Sequence, residues 1–102
     1  MIKYSQGDII RIEGFKDLYL ILSKNAFIRT TGVFHVCPLL QNIEPGPLHI
    51  QVNGRNNTNR TAVCEQIKLI DPDKRSCSYK DSLIYADIMN VSDAVQGLFE
   101  YD

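Results

Sequence analysis

The chain is poor in the features that announce a mechanism. Its 102 residues include only three cysteines, Cys37, Cys64 and Cys77, with no CxxC spacing. That odd number and spacing weigh against a redox or metal role for them. Cys37 and Cys64 fall in apolar strand patterns, where a thiol behaves as a small hydrophobe. Charge of either sign is in no excess: the net formal charge is −1, so bulk electrostatics do not advertise a nucleic-acid ligand, though a local basic groove suffices for one. Long hydrophobic runs are missing too. Leu18-Tyr19-Leu20-Ile21-Leu22 is far short of a membrane span, and the opening Met1 to Asp8 has no apolar core suited to a signal peptide. The expected setting is the cytoplasm, with no membrane partner. There is no repeat and no low-complexity tract, and the length suits one domain over 1–102.

What is present is a series of short strands separated by turn chemistry. Asp8 to Glu13 places apolar residues at 9, 10 and 12 before Gly14. Leu18 to Leu22 is nearly all apolar, as a strand covered on both faces requires. The link between them, Gly14-Phe15-Lys16-Asp17, has hairpin length. Thr30-Thr31-Gly32 signals a turn, and Val33 to Cys37 reads as a third strand stopped by Pro38, which has no ladder donor. His49-Ile50-Gln51-Val52 alternates as a half-exposed strand does. A polar loop, Arg55 to Arg60, follows Asn53-Gly54. Ala62 to Asp71 then reads as one apolar strand interrupted by Glu65-Gln66, and Ser76 to Tyr79 as one more short strand.

The C-terminus changes period. Ile84, Ile88, Val91, Val95 and Leu98 recur at helical spacing, so one face of a helix covers the sheet. Asn90 and Gly97 lower helix propensity, which leaves room for a break at 90–92 with Ser92 capping a second half.

Glu65 is the chemical anomaly. Burying an unpaired carboxylate costs several kcal/mol, roughly, so this side chain must reach a partner, a ligand or solvent. Two readings stand: a structural pair with Lys68 or Arg11, or a functional acid. For His35, on a strand beside Val36, a hydrogen-bonded packing role is favoured over that of a catalytic base. Tyr79 and Tyr85 offer rings on which bases can stack, although packing is the plainer role.

Five segments in order resemble the MazF/PemK toxins. Gly7-Asp8-Ile9-Ile10 is similar to the opening strand of that family, Leu20-Ile21-Leu22-Ser23 to its second and Val36-Cys37-Pro38 to its third. Ala62 to Ile70, with its Glu65-Gln66, resembles the strand after the long hairpin loop, and Val91-Ser92-Asp93-Ala94-Val95 the terminal helix. The likeness covers residues 6–99 through short motifs, and their order and spacing carry it. It implies a mainly β fold, a small SH3-like (CcdB/PemK-type) antiparallel β-barrel with a C-terminal helix, assembled as a homodimer. It further implies the toxin of a toxin–antitoxin pair, opposed by an antitoxin with a disordered acidic segment. Most members cut single-stranded RNA with neither metal nor cofactor: the 2′-hydroxyl attacks the adjacent phosphate, which calls for a base, an acid and cationic stabilisation. CcdB, on the same fold, cuts nothing and poisons DNA gyrase by binding, so fold alone does not fix activity. An SH3-like adaptor is disfavoured, since no aromatic groove for proline-rich ligands is evident.

Carried onto this chain, the resemblance makes Glu65 the acid or base and Lys16 or Arg11 the phosphate contact. Gln41 and Gln66 become base or phosphate contacts, and Arg55 and Arg60 can meet RNA or the acidic antitoxin tail. Surface charge is the plainer role for Arg11, Arg55 and Arg60. The chain also departs from the family. Members carry an Arg just before the second strand, where this one has Lys16-Asp17. They carry a Thr or Ser after the third strand, where it has Leu40. One branch has an Arg two residues before the acid, where this chain has Val63, and its first hairpin is shorter. Loss of the cationic stabiliser alone is worth on the order of 10²–10³ in rate. These departures favour a second reading, a non-cleaving binding protein on the same fold.

Overall fold

A computed structural model describes residues 3–100. The chain folds into seven strands and two helices: β1 (Asp8–Ile12), β2 (Leu18–Ile21), α1 (Asn25–Thr31), β3 (Phe34–Leu40), β4 (His49–Asn53), β5 (Asn59–Val63), β6 (Lys68–Ile70), β7 (Cys77–Ser82) and α2 (Tyr85–Gly97). All pairings are antiparallel, in the order β4-β5-β3-β2-β1-β7, with β6 on β3 beside β5. The mainly β architecture with a C-terminal helix is as expected. The end strands β4 and β7 do not pair along their length among the described residues, so the sheet is not closed and the molecule is barrel-like. One contact brings the sheet ends together: Gly54 bridges Leu83, and the Arg55 N–H donates to the Ser82 carbonyl at 2.8 Å.

Alternation along the strands sorts the core into two layers. Ile9, Leu20, Cys37, Leu39, Val52, Ala62, Cys64 and Leu83 pack together beneath α2, which inserts Val91. Ile10, Ile12, Tyr19, Ile21, Phe34, Val36 and Ile70 form the other layer, covered by Ile28 of α1 with Tyr4, Phe15 and Cys77 at its margin. Both layers are needed because β2 is buried at every position, as its unbroken apolar run demanded.

Several expectations need correction. β3 does not stop at Cys37 but runs through Pro38 to Leu40. The Leu22 N–H donates to the His35 carbonyl, so position 35 faces β2 and position 38, three residues on, faces the other edge. There Pro38 falls between the residues paired with β6 (34–36) and those paired with β5 (39–40), where no donor is required. The segment 25–31 forms a helix that a turn signal alone did not anticipate. It has only seven residues with one buried side chain, Ile28, too few for a periodic stripe. Ala62 to Ile70 is two strands, because the chain turns at Glu65-Gln66, with the Gln66 N–H donating to the Val63 carbonyl at 3.2 Å. β5 begins at Asn59, inside the expected polar loop, and β7 extends to Ser82. α2 is unbroken at 90–92, where Val91 anchors it in the core; Ser92 caps nothing and accepts from Gln96 Nε2 at 3.0 Å.

Candidate functional site

The β1–β2 hairpin is a tight turn in which the Phe15 N–H donates to the Ile12 carbonyl at 3.0 Å. It gathers two of the sequence-derived candidates: Arg11 Nη1 donates to the Lys16 carbonyl at 3.0 Å, and both side chains are exposed. Phe15 folds back edge-on against Tyr19, with centroids 5.4 Å apart. Above its ring lie Arg75, with Cζ 4.8 Å from the centroid, and Lys68, with Nζ at 5.8 Å. From the sequence Lys68 stands only as a candidate partner for Glu65, and Arg75 has no assigned role.

Gln41 follows β3 and borders a concavity of about 420 Å³ whose lining also includes Arg60, Leu40, Gln51 and Thr61. Two of the proposed RNA contacts, Gln41 and Arg60, therefore share one hollow. The register sets Leu40 opposite Thr61, so a buried hydroxyl lies across from the apolar residue that replaces the expected one. Arg55 stands apart, exposed in the β4–β5 turn. That turn is held by Asp81, whose buried carboxylate accepts from the backbone N–H groups of Asn56 (3.0 and 3.2 Å), Thr58 (3.3 Å) and Ser82 (2.7 Å). Burial pushes the Asp81 carboxyl up, but hydrogen bonds from Thr58, Ser82 and Asn56 outweigh it and hold the group below its ordinary value.

Glu65 occupies the exposed turn between β5 and β6, with Gln66 beside it. Its partner is neither Lys68 nor Arg11: Oε2 lies 3.0 Å from Nε2 of His49. This is the one ion pair among the described residues, with 35% and 41% of the two side chains exposed. Mutual hydrogen bonding holds the His49 imidazole above its ordinary range and the Glu65 carboxyl below its own. His49 was missed because it reads as one polar position in an alternating strand. The register of the β4–β5 hairpin, centred on Asn56, sets His49 opposite Val63, diagonal to Glu65.

The strand register separates the two ends of the candidate site. Lys16 continues the register that sets Leu18 against Leu39, and Glu65 continues the one that sets Ala62 against Leu39, in opposite directions along β3. Lys16 and Glu65 are thus roughly 15 Å apart along that strand. Lys68, three residues beyond Glu65, pairs with Val36, and its Nζ reaches the Phe15 ring.

His35 has the packing role expected of it. Its Nδ1 lies 2.9 Å from Ser23 Oγ, its backbone N–H donates to the same oxygen, and its ring tilts against Phe27. Tyr79 and Tyr85 are 52% and 70% exposed, so neither packs in the core. Cys37 and Cys64 are fully buried free thiols. No cluster of three or more His, Cys, Asp or Glu suited to a metal ion occurs among the described residues. Among the described residues no helix is long and apolar enough to cross a membrane.

No family model and no curated protein matches the sequence. The fold, by contrast, has close counterparts among solved structures. A chain of the MazE-MazF complex from Deinococcus radiodurans superposes over 100% of both chains, with a TM-score of 0.82 at 14% identity. An endoribonuclease from Mycobacterial species matches 95% of this chain and 91% of its own, with a TM-score of 0.80 at 18% identity. The Mycobacterium tuberculosis toxin MazF-mt6 matches 94% and 98%, with a TM-score of 0.70 at 17% identity. This chain has the fold of the MazF toxins.

Proposed function

We propose that this chain is the toxin of a type II toxin–antitoxin pair, an endoribonuclease of MazF type acting on single-stranded RNA in the cytoplasm. The observation that carries the reading is the end-to-end likeness to MazF, with neither chain left over. One such structure is an endoribonuclease in complex with its cognate antitoxin, which supports a cognate antitoxin as partner here; that its binding segment is disordered and acidic is part of this proposal. Arg55 and the Gln41–Arg60 hollow are its candidate contacts.

In the proposed reaction the RNA 2′-hydroxyl loses its proton and attacks the adjacent phosphate. The bond to the 5′-oxygen breaks, and that oxygen takes up a proton, leaving a 2′,3′-cyclic phosphate and a 5′-hydroxyl. The Glu65–His49 pair serves proton transfer: Glu65 accepts, and the imidazolium that Glu65 stabilises donates. Arg11 and Lys16 contact phosphate from the hairpin, and Gln66 contacts RNA beside Glu65. A homodimer is part of this reading. It is supported by the exposed apolar stripe of Tyr85 and Met89 on α2, continued by Phe99, which a second copy would cover.

A second reading is favoured by two specific observations. Leu40, which offers no hydroxyl, stands where the resemblance requires one, and the turn just before β2, Gly14 to Asp17, has no arginine. A binding protein that poisons a target without cutting RNA meets both facts. Incubating the purified protein with labelled single-stranded RNA decides between the two. Fragments ending in cyclic phosphate support the ribonuclease, whereas intact RNA together with growth arrest on expression supports the binder. Unimpaired growth on expression would remove the toxin reading altogether.

A further inference from the structure

The turn before β2, Gly14 to Asp17, lacks an arginine in sequence but is supplied with one in space. Arg75 lies 62 residues from Glu13, yet its Nη1 donates to the Glu13 carbonyl at 3.0 Å, which fixes the guanidinium over Phe15. The approach depends on Gly14. Its φ is +87°, and a Cβ there would come within 3.0 Å of Arg75 Nη1. Lys68 reaches the same ring from β6. Both side chains are exposed, and neither forms an ion pair among the described residues. An arginine with one N–H engaged keeps the rest of its donor fork for an anion. Arg11 and Lys16 stand on the same β1–β2 hairpin as Phe15, and Lys68 opens the strand that follows the Glu65–Gln66 turn.

We propose that Arg75 and Lys68, gathered over Phe15, are backbone-phosphate contacts for single-stranded RNA, taking the place of the arginine absent from the turn just before β2. The proposal rests on the ribonuclease reading and names further groups of that site. Phe15 serves as the platform. Its ring holds the two cations in place by cation–π attraction, which lowers the entropy lost when they engage phosphate.

The test is fluorescence anisotropy with a labelled single-stranded RNA carrying 2′-O-methyl groups throughout, which binds but cannot be cut. Affinity is followed across a salt series for the wild type, Arg75→Gln, Lys68→Gln, Arg75→Lys and the remote control Arg29→Gln on α1. Each Gln variant should weaken binding about 5–10-fold and reduce the slope of log affinity against log salt by about 0.7 for each phosphate no longer neutralised. Arg75→Lys should keep the slope, and Arg29→Gln should match the wild type. Circular dichroism melts establish that each variant is folded. Wild-type binding with unchanged affinity and slope in both Gln variants would overturn the proposal while leaving the ribonuclease reading intact. Failure of the wild type to bind RNA would remove both. If the Gln variants lose binding to an acidic peptide but keep RNA, the two cations mark a protein-docking surface and the proposal falls.

Discussion

His49 and Glu65 meet at 3.0 Å across the end of the β4–β5 hairpin, each shifting the other's proton affinity. The folded imidazole titrates above its ordinary 6.5, and the folded carboxyl below its ordinary 4.5. The stabilisation is therefore complete between those two values. It is lost as pH rises through the raised folded His49 value, and also as pH falls through the depressed folded Glu65 value. In an NMR titration His49 should show a midpoint above 6.5 that returns towards it in Glu65→Gln. An identical midpoint in the variant would mean that the pair does not form in solution.

Asp81 should prove a structural clamp. Asp81→Ala strands the N–H groups of Asn56, Thr58 and Ser82 and should cost about 2–4 kcal/mol in urea unfolding. Gly54→Ala should act at the same place, because its Cβ would collide with the Asp81 carboxylate. The folded Asp81 value lies below its ordinary 3.8, so its contribution is present above that pH and lost as pH falls through the folded value. Acid unfolding of Asp81→Asn should be correspondingly less steep.

The thiols should divide by burial. Cys77 is partly exposed, whereas Cys37 and Cys64 are sealed in the core under α2. Ellman's reagent should label Cys77 in the native protein and the other two only on unfolding. Native labelling of Cys64 at the rate of Cys77 would contradict the packing of β5.

Met89→Glu should convert the proposed dimer into a folded monomer by light scattering, since it sets a charge in the exposed stripe of α2 and leaves Val91 in place. A monomeric wild type at the same concentration would sink the homodimer.

Leu40→Thr should raise RNA cleavage roughly 10-fold or more by restoring a hydrogen-bond donor at the end of β3, whereas Leu40→Val should not. If both variants match the wild type, Leu40 is not the position that limits the chemistry.

Much of this fold was legible from periodicity. β1, β2 and β4 lie within a residue or so of their apolar patterns, and the stripe Ile84, Ile88, Val91 and Val95 marked α2. α1 escaped because one buried residue makes no pattern. The length of β3 escaped because whether a proline ends a strand depends on what lies across from it. In the site, the acid at position 65 could be singled out by composition alone, as an ionisable group in an apolar run. Its partner could not.

The sequence by itself determined the strand-and-turn order, the two-sided burial of β2 and the covering helix, since each follows from side-chain spacing within a few residues. Tertiary structure alone decided that Glu65 meets His49, that Asp81 holds a turn 25 residues away in sequence, and that Arg75 lies over Phe15. Those contacts depend on strand register and on which edges the chain leaves unpaired. Both are set by packing of the whole sheet, so no local window of sequence contains them.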